Sequence, residues 1–288
     1  MPKIITIPSS IDEINKTLDI IDGFIIGIDN MSVNTNLNIP INSISMLDDY
    51  KDKDKDIFIS LNKNMHNIDL KYLKDIMIKL NNYNIKGVLY YDVAVLQIYK
   101  EIKPNYELVW SQEHSTTNYS TINYWYDKGA KYTYLSSDIT FEEIKEIKQN
   151  SKSTLLVNLF GYLPMFVSKR HIVKNYLNYF KLKDSSKINY MEKENKIYPI
   201  IDKEIGTMCY SNNILNGLKY SLDLLDCYIV LNSLDIDLDK FICIINLFRN
   251  VNSKNIGDSN NKINNMFNNV DLGFLEKKTI YKVKKNDK

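Results

Sequence analysis

Eight short, nearly unbroken apolar runs recur along the chain, separated by stretches with helical spacing. This repetition constrains the fold more than any other feature. The runs are Lys3–Pro8, Gly23–Ile28, Asp56–Asn62, Gly87–Asp92, Tyr106–Ser111, Tyr132–Ser137, Thr154–Gly161 and Cys227–Ser233. Each is rich in Ile, Val, Leu and Tyr and continuous rather than alternating, as strands of a parallel sheet buried on both faces read. Eight such strands, mostly with helices between them, predict a (β/α)8 TIM-type barrel, with an open doubly wound sheet as the alternative.

The intervening segments carry helix signals. Ser10 with Glu13, and Thr140 with Glu143, form capping-box patterns ahead of apolar residues at helical spacing. Leu70, Leu73, Ile76, Met77 and Leu80 make an apolar stripe between the third and fourth strands. Gly23, Gly87 and Gly129 each sit just before a strand, where a helix C-cap is expected. Three regions break the rhythm. Lys51–Asp56 (KDKDKD) reads as a solvated loop. Lys183 to Ser211 reads as an insertion between the seventh and eighth strands, with a hairpin turning at Gly206. Asn250 to Asn269 reads as a featureless connector, followed by a short strand around Ile280, Tyr281, Lys282 and Val283. The expected organisation is a barrel over residues 1–250 and a connector with a C-terminal appendage over residues 251–288.

Composition narrows the class. The chain has 288 residues, 44% of them hydrophobic and 25% charged, as a globular protein does. Arginine occurs only at Arg170 and Arg249, so 35 of the 37 basic residues are lysines. Together with abundant Asn, Ile and Tyr, this reads as bias toward AT-rich codons. It lowers the information in any single lysine or asparagine. A net charge of +2 is not the basic footprint of a dedicated nucleic-acid module, and no DNA partner is expected. The start lacks signal-peptide character, and the least polar stretch, Thr154 to Val167, is interrupted by Asn158 and Pro164. Cys209, Cys227 and Cys243 are odd in number and widely spaced, as reduced thiols are. A cytoplasmic protein without a membrane span is the expectation.

In a barrel of this type the working face is the C-terminal ends of the strands. That rule gathers Ser9, Asp29, Asn62, His66, Asp92, Ser111, Glu113, His114, Asp138, Gly161, Tyr162 and Asn232 around one mouth. Several have plain structural uses, since Ser9 or Ser10, Asp92 and Asp138 suit helix starts. No CxxC, HxH, HExxH or GxSxG pattern occurs, so a metal site and a serine-hydrolase elbow both lack support. Ser168 and His171 lie three apart, a spacing that shares one helical face. Arg170 follows the seventh strand, where barrel loops bind anions, and its planar fork suits a carboxylate or phosphate.

These last residues carry a family resemblance. LFGYLPMFVSKRHIVKNYLNYF, containing Gly161, Pro164, Ser168, Arg170 and His171, resembles the motif region of the collagenase-like peptidase family U-32, in its short Firmicutes–Mollicutes branch. LNKNMHNIDL, the stretch from Trp110 to Ile147, YPIIDKEIGTMCYS and LGFLEKKTIYKVK resemble corresponding parts of that branch in order. The segment before the KDKDKD run matches only as a strand–helix–strand pattern.

The resemblance implies a barrel. It also implies a link to oxygen-independent hydroxylation of the tRNA wobble uridine with prephenate, of a ribosomal RNA cytidine, or of the ubiquinone ring. Members that do this hold a 4Fe–4S cluster on four cysteines, two of them in this motif. Here those two positions are Pro164 and His171, so no cluster is expected. The short branch accompanies a longer, cysteine-bearing paralogue, which implies a subunit or accessory role, with tRNA as a further partner. The alternatives are a cytoplasmic collagenase-like peptidase and a non-catalytic scaffold barrel, and whether the chain is itself an enzyme stays open. Candidate catalytic residues are Arg170, His171, Ser168, His114 and Glu113. Candidate substrate- or anion-binding residues are Gly161, Tyr162, Arg170, Asn62 and His66. Lys277, Lys278, Lys282, Lys284 and Lys285 form a tail suited to phosphates, or simply a solvated one.

Overall fold

The computed structural model describes residues 2–183 and 186–277. Eight parallel strands close on themselves: β1 (Lys3–Ile7), β2 (Gly23–Ile28), β4 (Asp56–Ser60), β5 (Gly87–Tyr90), β6 (Glu107–Trp110), β7 (Tyr132–Tyr134), β8 (Thr154–Ser168) and β12 (Tyr228–Asn232). Pairing of β12 with both β1 and β8 completes the ring. All eight correspond to the apolar runs, and the architecture is the (β/α)8 barrel.

The continuous apolar character has a direct cause. Alternate residues face two different cores. Ile5, Ile7, Ile25, Phe58, Leu89, Val109, Leu156 and Val230 fill the barrel interior. Their neighbours, such as Ile4, Ile26, Ile59, Val88 and Ile229, face the helices. Those helices are α1 (Ile11–Thr17), α2 (Leu70–Leu80), α3 (Val93–Ile102), α4 (Tyr119–Asp127), α5 (Phe141–Asn150) and α7 (Leu238–Arg249). Between β2 and β4 a two-residue strand, β3 (Asn38–Ile39), and a 3-10 helix over Ile41–Tyr50 stand in place of an α-helix. None of the described helices is long and apolar enough to cross a membrane.

The helix caps follow the sequence closely. Ser10 Oγ accepts from Glu13 N–H at 3.1 Å, and Thr140 with Glu143 forms a full reciprocal box. At α1 the returning carboxylate binds the Ser9 N–H instead, at 3.0 Å. Two of the three pre-strand glycines are not C-caps. Gly23 and Gly87 begin their strands, and a Cβ on Gly23 would lie 2.0 Å from the Asp56 carbonyl oxygen. They are small because the neighbouring strand passes against them. Of these three, Gly129 alone, with φ +118°, adopts the left-handed region.

Asp56, shared by the KDKDKD run and the third apolar run, belongs to the strand. It starts β4 at the N-terminal end of the barrel, where its carboxylate takes Lys3 Nζ at 2.6 Å and the Tyr228 hydroxyl at 2.7 Å. Burial opposes its ionised form, but Lys3, Tyr228 and Lys86 together hold its pKa below the ordinary value.

The extension of β8 and the insertion that follows it, between the seventh and eighth barrel strands, determine the shape of the mouth. β8 does not end at Gly161 but continues to Ser168, and its outer half pairs antiparallel with β11 (Gly206–Asn216). The bend is at Gly161, φ +110°, where a Cβ would sit 2.3 Å from the Asn232 carbonyl oxygen. After α6 (Ile172–Phe180), strands β9 (Asn189–Lys193), β10 (Lys196–Lys203) and β11 form an antiparallel extension that turns at Gly206, φ +131°.

The Asn-rich segment after α7, expected to be featureless, contains α8 (Ile256–Asn264). Ile263 on α8 is fully buried in the main core together with Val251 and Leu275, and β13 (Val270–Asp271) pairs with β11. Asn216 ties α8 down through Asn264 Oδ1 at 2.8 Å. The expected strand at Ile280–Val283, and Lys278, Lys282, Lys284 and Lys285, lie outside the described residues.

Candidate functional site at the barrel mouth

The C-terminal ends of β4, β5 and β6, the loop after β2 and the insertion enclose a cavity of about 470 Å³, within the range of small-molecule sites. Asn62, His66, Ser111, Glu113 and His114, all expected at the mouth, line it. So do Asn34, Lys63, Asn64, Tyr91, Gln112 and Lys169, which sequence reasoning did not single out. A second, small pocket beneath it adds Tyr134, Asn158, Tyr162 and Asn232, and it shares Asn34, Asn62, Ser111 and Glu113 with the first.

Glu113 lies at the junction of these spaces. Asn34, in the left-handed region at φ +56°, donates its amide N–H to the Glu113 carboxylate. Burial raises the Glu113 pKa above the ordinary carboxylate value; the Asn34 bond and His114 pull it back, and Asp138 pushes it up. The neighbouring His114 meets Asp138 through Nδ1 at 3.2 Å on the rim. Tyr91 closes one side, its hydroxyl on Asn64 Oδ1 at 2.9 Å. Burial, with Glu113 and Asp92 nearby, pushes its phenol up to about 12. Asn62 is buried and accepts the Val33 N–H at 2.8 Å, holding the β2 loop over the mouth.

The cavity carries cations on one edge. Lys169 Nζ is 2.7 Å from His66 Nε2, so a charged lysine faces an imidazole nitrogen acting as acceptor. Lys63 is paired with Asp69 at 2.9 Å. Farther over the barrel, Lys203 at the end of β10 donates to the Thr35 carbonyl in the β2 loop. Burial lowers its ammonium to about 8, against the pull of Asp29 and with Lys187 adding to the fall.

Other expected residues have structural work. Gly161 makes the bend, and the Tyr162 hydroxyl accepts from Asn269 at 3.0 Å. Asp92 caps α3 through Ala94 N–H and holds Met65 N–H. Ser9 bonds Ser233 at 2.9 Å. Thr140, not Asp138, caps α5. Ser168 and His171 do not share a helical face, because Ser168 ends β8 and His171 is the N-cap of α6. Ser168 Oγ accepts the Arg170 N–H at 3.1 Å, and no hydrogen bond links it to His171 among the described residues.

Arg170 sits in the turn between them and does not line the cavity; the adjacent Lys169 does. The Arg170 carbonyl accepts from Thr207 Oγ1 at 2.7 Å, while its guanidinium is exposed and has no carboxylate partner among the described residues. Arg170→Ala is therefore expected to change unfolding free energy by no more than about 0.5 kcal/mol. Urea denaturation checks this, and a loss above about 1 kcal/mol would reveal a structural tie instead.

For the cluster implied by the resemblance, the donor set does not fit. Pro164 has no side-chain donor atom. Cys209 on β11 packs with Val173 and Ile200, Cys227 precedes β12 at the opposite end of the barrel, and Cys243 lies on α7. Burial raises the Cys209 thiol and pushes Cys227 up to about 11, disfavouring the thiolate a metal needs. Among the described residues no group of three or more His, Cys, Asp or Glu is placed to hold a metal.

Comparison with known proteins places this geometry in a family. tRNA hydroxylation protein P2 of Bacillus subtilis (strain 168) is 30% identical over 178 residues, covering 58% of this chain and 58% of that relative. tRNA hydroxylation protein P1 of the same organism is 22% identical over 121 residues, covering 42% of this chain and 29% of its own length. The chain thus spans less than two thirds of either relative. The solved structure of the U32 peptidase Mk0906 shares the fold, with a TM-score of 0.52 and 11% identity over 80% of this chain and 92% of that one. The profile of peptidase family U32 matches residues 15–229, and the chain belongs to that family.

Proposed function

We propose that this U32 barrel serves tRNA hydroxylation in the cytoplasm. On this reading it receives a pyrimidine base or a small carboxylate such as prephenate at its mouth, and works beside a longer, cysteine-bearing paralogue. The names of its relatives point to tRNA. The observation that carries the reading is the polar lining of the cavity. Asn34 Oδ1 and Gln112 Oε1 are buried there without a partner among the described residues. Buried acceptors left unpaired cost about 1–3 kcal/mol each, so both amides would gain by turning toward an N–H donor held in the cavity. Amide groups of Asn34, Asn62, Asn64 and Gln112, with Ser111 and Glu113, suit the edge of a uracil, which offers one N–H between two carbonyl oxygens. Lys169 and His66 at the rim suit the accompanying phosphate or carboxylate.

The scattered cysteines and Pro164 support assigning any iron–sulfur chemistry to the partner rather than to this chain. The peptidase alternative draws nothing from Ser168 and His171, which share no hydrogen bond among the described residues. Mass spectrometry of tRNA nucleosides from a deletion strain tests the proposal. Loss of 5-hydroxyuridine-derived nucleosides, restored by the wild-type gene, is expected; an unchanged nucleoside profile would sink it.

A further inference from the structure

The stretch from Lys169 to Lys203 holds nine Lys or Arg against four Asp or Glu, a local excess of +5 in a chain whose whole charge is +2. None of those nine cations forms an ion pair with a carboxylate among the described residues. Lysines elsewhere do pair, as Lys74 does with Glu101 and Lys152 with Asp127. The same region concentrates exposed apolar surface. Of the 21 large apolar side chains exposed among the described residues, eleven fall between Met165 and Ile197. On α6, Tyr176, Tyr179 and Phe180 are 57%, 81% and 54% exposed. They are held together, with Phe180 4.7 Å from Tyr176 and 4.9 Å from Tyr179 between ring centroids.

An exposed aromatic cluster marks an interaction surface, and its surroundings indicate the partner. The fully buried centre of a protein–protein interface is depleted of charge, whereas here exposed aromatic residues alternate along one stretch of sequence with cations that have no carboxylate partner among the described residues. That combination matches unpaired RNA, whose bases stack on aromatic rings while its phosphates meet lysines. The same stretch of chain reaches the mouth, because Phe166, Val167 and Lys169, just before α6, and Ile205, after β10, line the cavity.

We propose that α6 and the adjoining β9–β10 hairpin form an RNA-docking face. Unpaired bases stack on Tyr176, Tyr179 and Phe180, Lys181 and Lys187 meet phosphates, and a neighbouring base is led into the mouth. This rests on the tRNA reading above and adds where the RNA sits.

Fluorescence anisotropy of the full chain with a labelled anticodon stem–loop, and with a fully paired duplex of equal length, tests the face. The stem–loop is expected to bind more tightly. Tyr179→Ala with Phe180→Ala is expected to weaken it by about 5- to 150-fold for each stacked base lost. Lys181→Glu with Lys187→Glu is expected to flatten the salt dependence by about 0.7 in log–log slope for each phosphate contact removed. These side chains are exposed, so thermal melting is expected to stay at the wild-type value. Wild-type affinity in the aromatic double variant would overturn the proposal. So would a change in sedimentation with RNA affinity unaltered, which would assign the face to protein contact. The outcome separates from that of the deletion strain. Lost nucleosides with no effect of the α6 variants on RNA binding would remove only the docking face. RNA binding through α6 with unchanged nucleosides would remove only the hydroxylation role.

Discussion

Glu113→Gln is expected to make the protein more stable at neutral pH and, on the proposed tRNA-hydroxylation reading, to lower modification sharply. Burial raises the carboxyl's pKa in the folded state, so between its unfolded and folded values the folded chain holds the extra proton. Stability from this group is then fully present below the unfolded pKa and is lost as pH rises through the folded one. A neutral amide escapes that loss and still accepts the Asn34 N–H. Urea unfolding at pH 7.5 is expected to favour the variant, with its advantage shrinking as the buffer approaches pH 4. If Glu113 transfers a proton during the reaction, modification in a complemented deletion strain falls by about 100-fold or more. A variant less stable than wild type at neutral pH would show the carboxylate to be a structural anchor. Wild-type nucleoside levels would remove it from the site.

The second large effect is expected at the bend of β8. Gly161→Ala places a Cβ 2.3 Å from the Asn232 carbonyl oxygen on a residue whose φ is +110°. Backbone strain of about 1–3 kcal/mol adds to overpacking of about 1–3 kcal/mol, so a loss of about 2–6 kcal/mol is expected. Gly129→Ala is the control. Its φ is +118° but nothing lies within 4 Å of the added carbon, so it bears the strain alone. The difference between the two in urea unfolding reads the close approach directly. Equal losses would mean that β12 and its loop move aside freely. Because the same bend sends the outer half of β8 over the mouth, Gly161→Ala is also expected to displace Phe166, Val167 and Lys169 from the cavity wall.

The candidate site was legible only in part. Asn62, His66, Glu113 and His114 were reachable from one rule, that a barrel collects chemistry at the C-terminal ends of its strands. Lys169 and Lys203 were not, since a single lysine among 35 carries almost no signal. What distinguishes Lys203 is that the β10–β11 turn lays it against the Thr35 carbonyl, a contact 168 residues away in sequence. Asn34 was hidden in the same way by the abundance of asparagine. Arg170 stood out by rarity, yet the turn that holds its carbonyl on Thr207 leaves Arg170 outside the cavity that its neighbour Lys169 lines. The basic excess of the insertion was present in the sequence, masked by a whole-chain charge near zero.

By itself the sequence determined the barrel. Strands buried against two cores must be apolar at every position, and helix starts must supply side-chain acceptors for orphan N–H groups. Those are local requirements, written residue by residue. Only the tertiary structure decided where β8 turns away, that Gly23 and Gly87 yield to a neighbouring strand rather than cap a helix, and that Ile263 in an Asn-rich stretch enters the core. It alone brought Asn34 to Glu113 and Lys169 to His66. The physical reason is the same in each case: close approach and burial are set by segments far apart in the chain, and no local pattern records them.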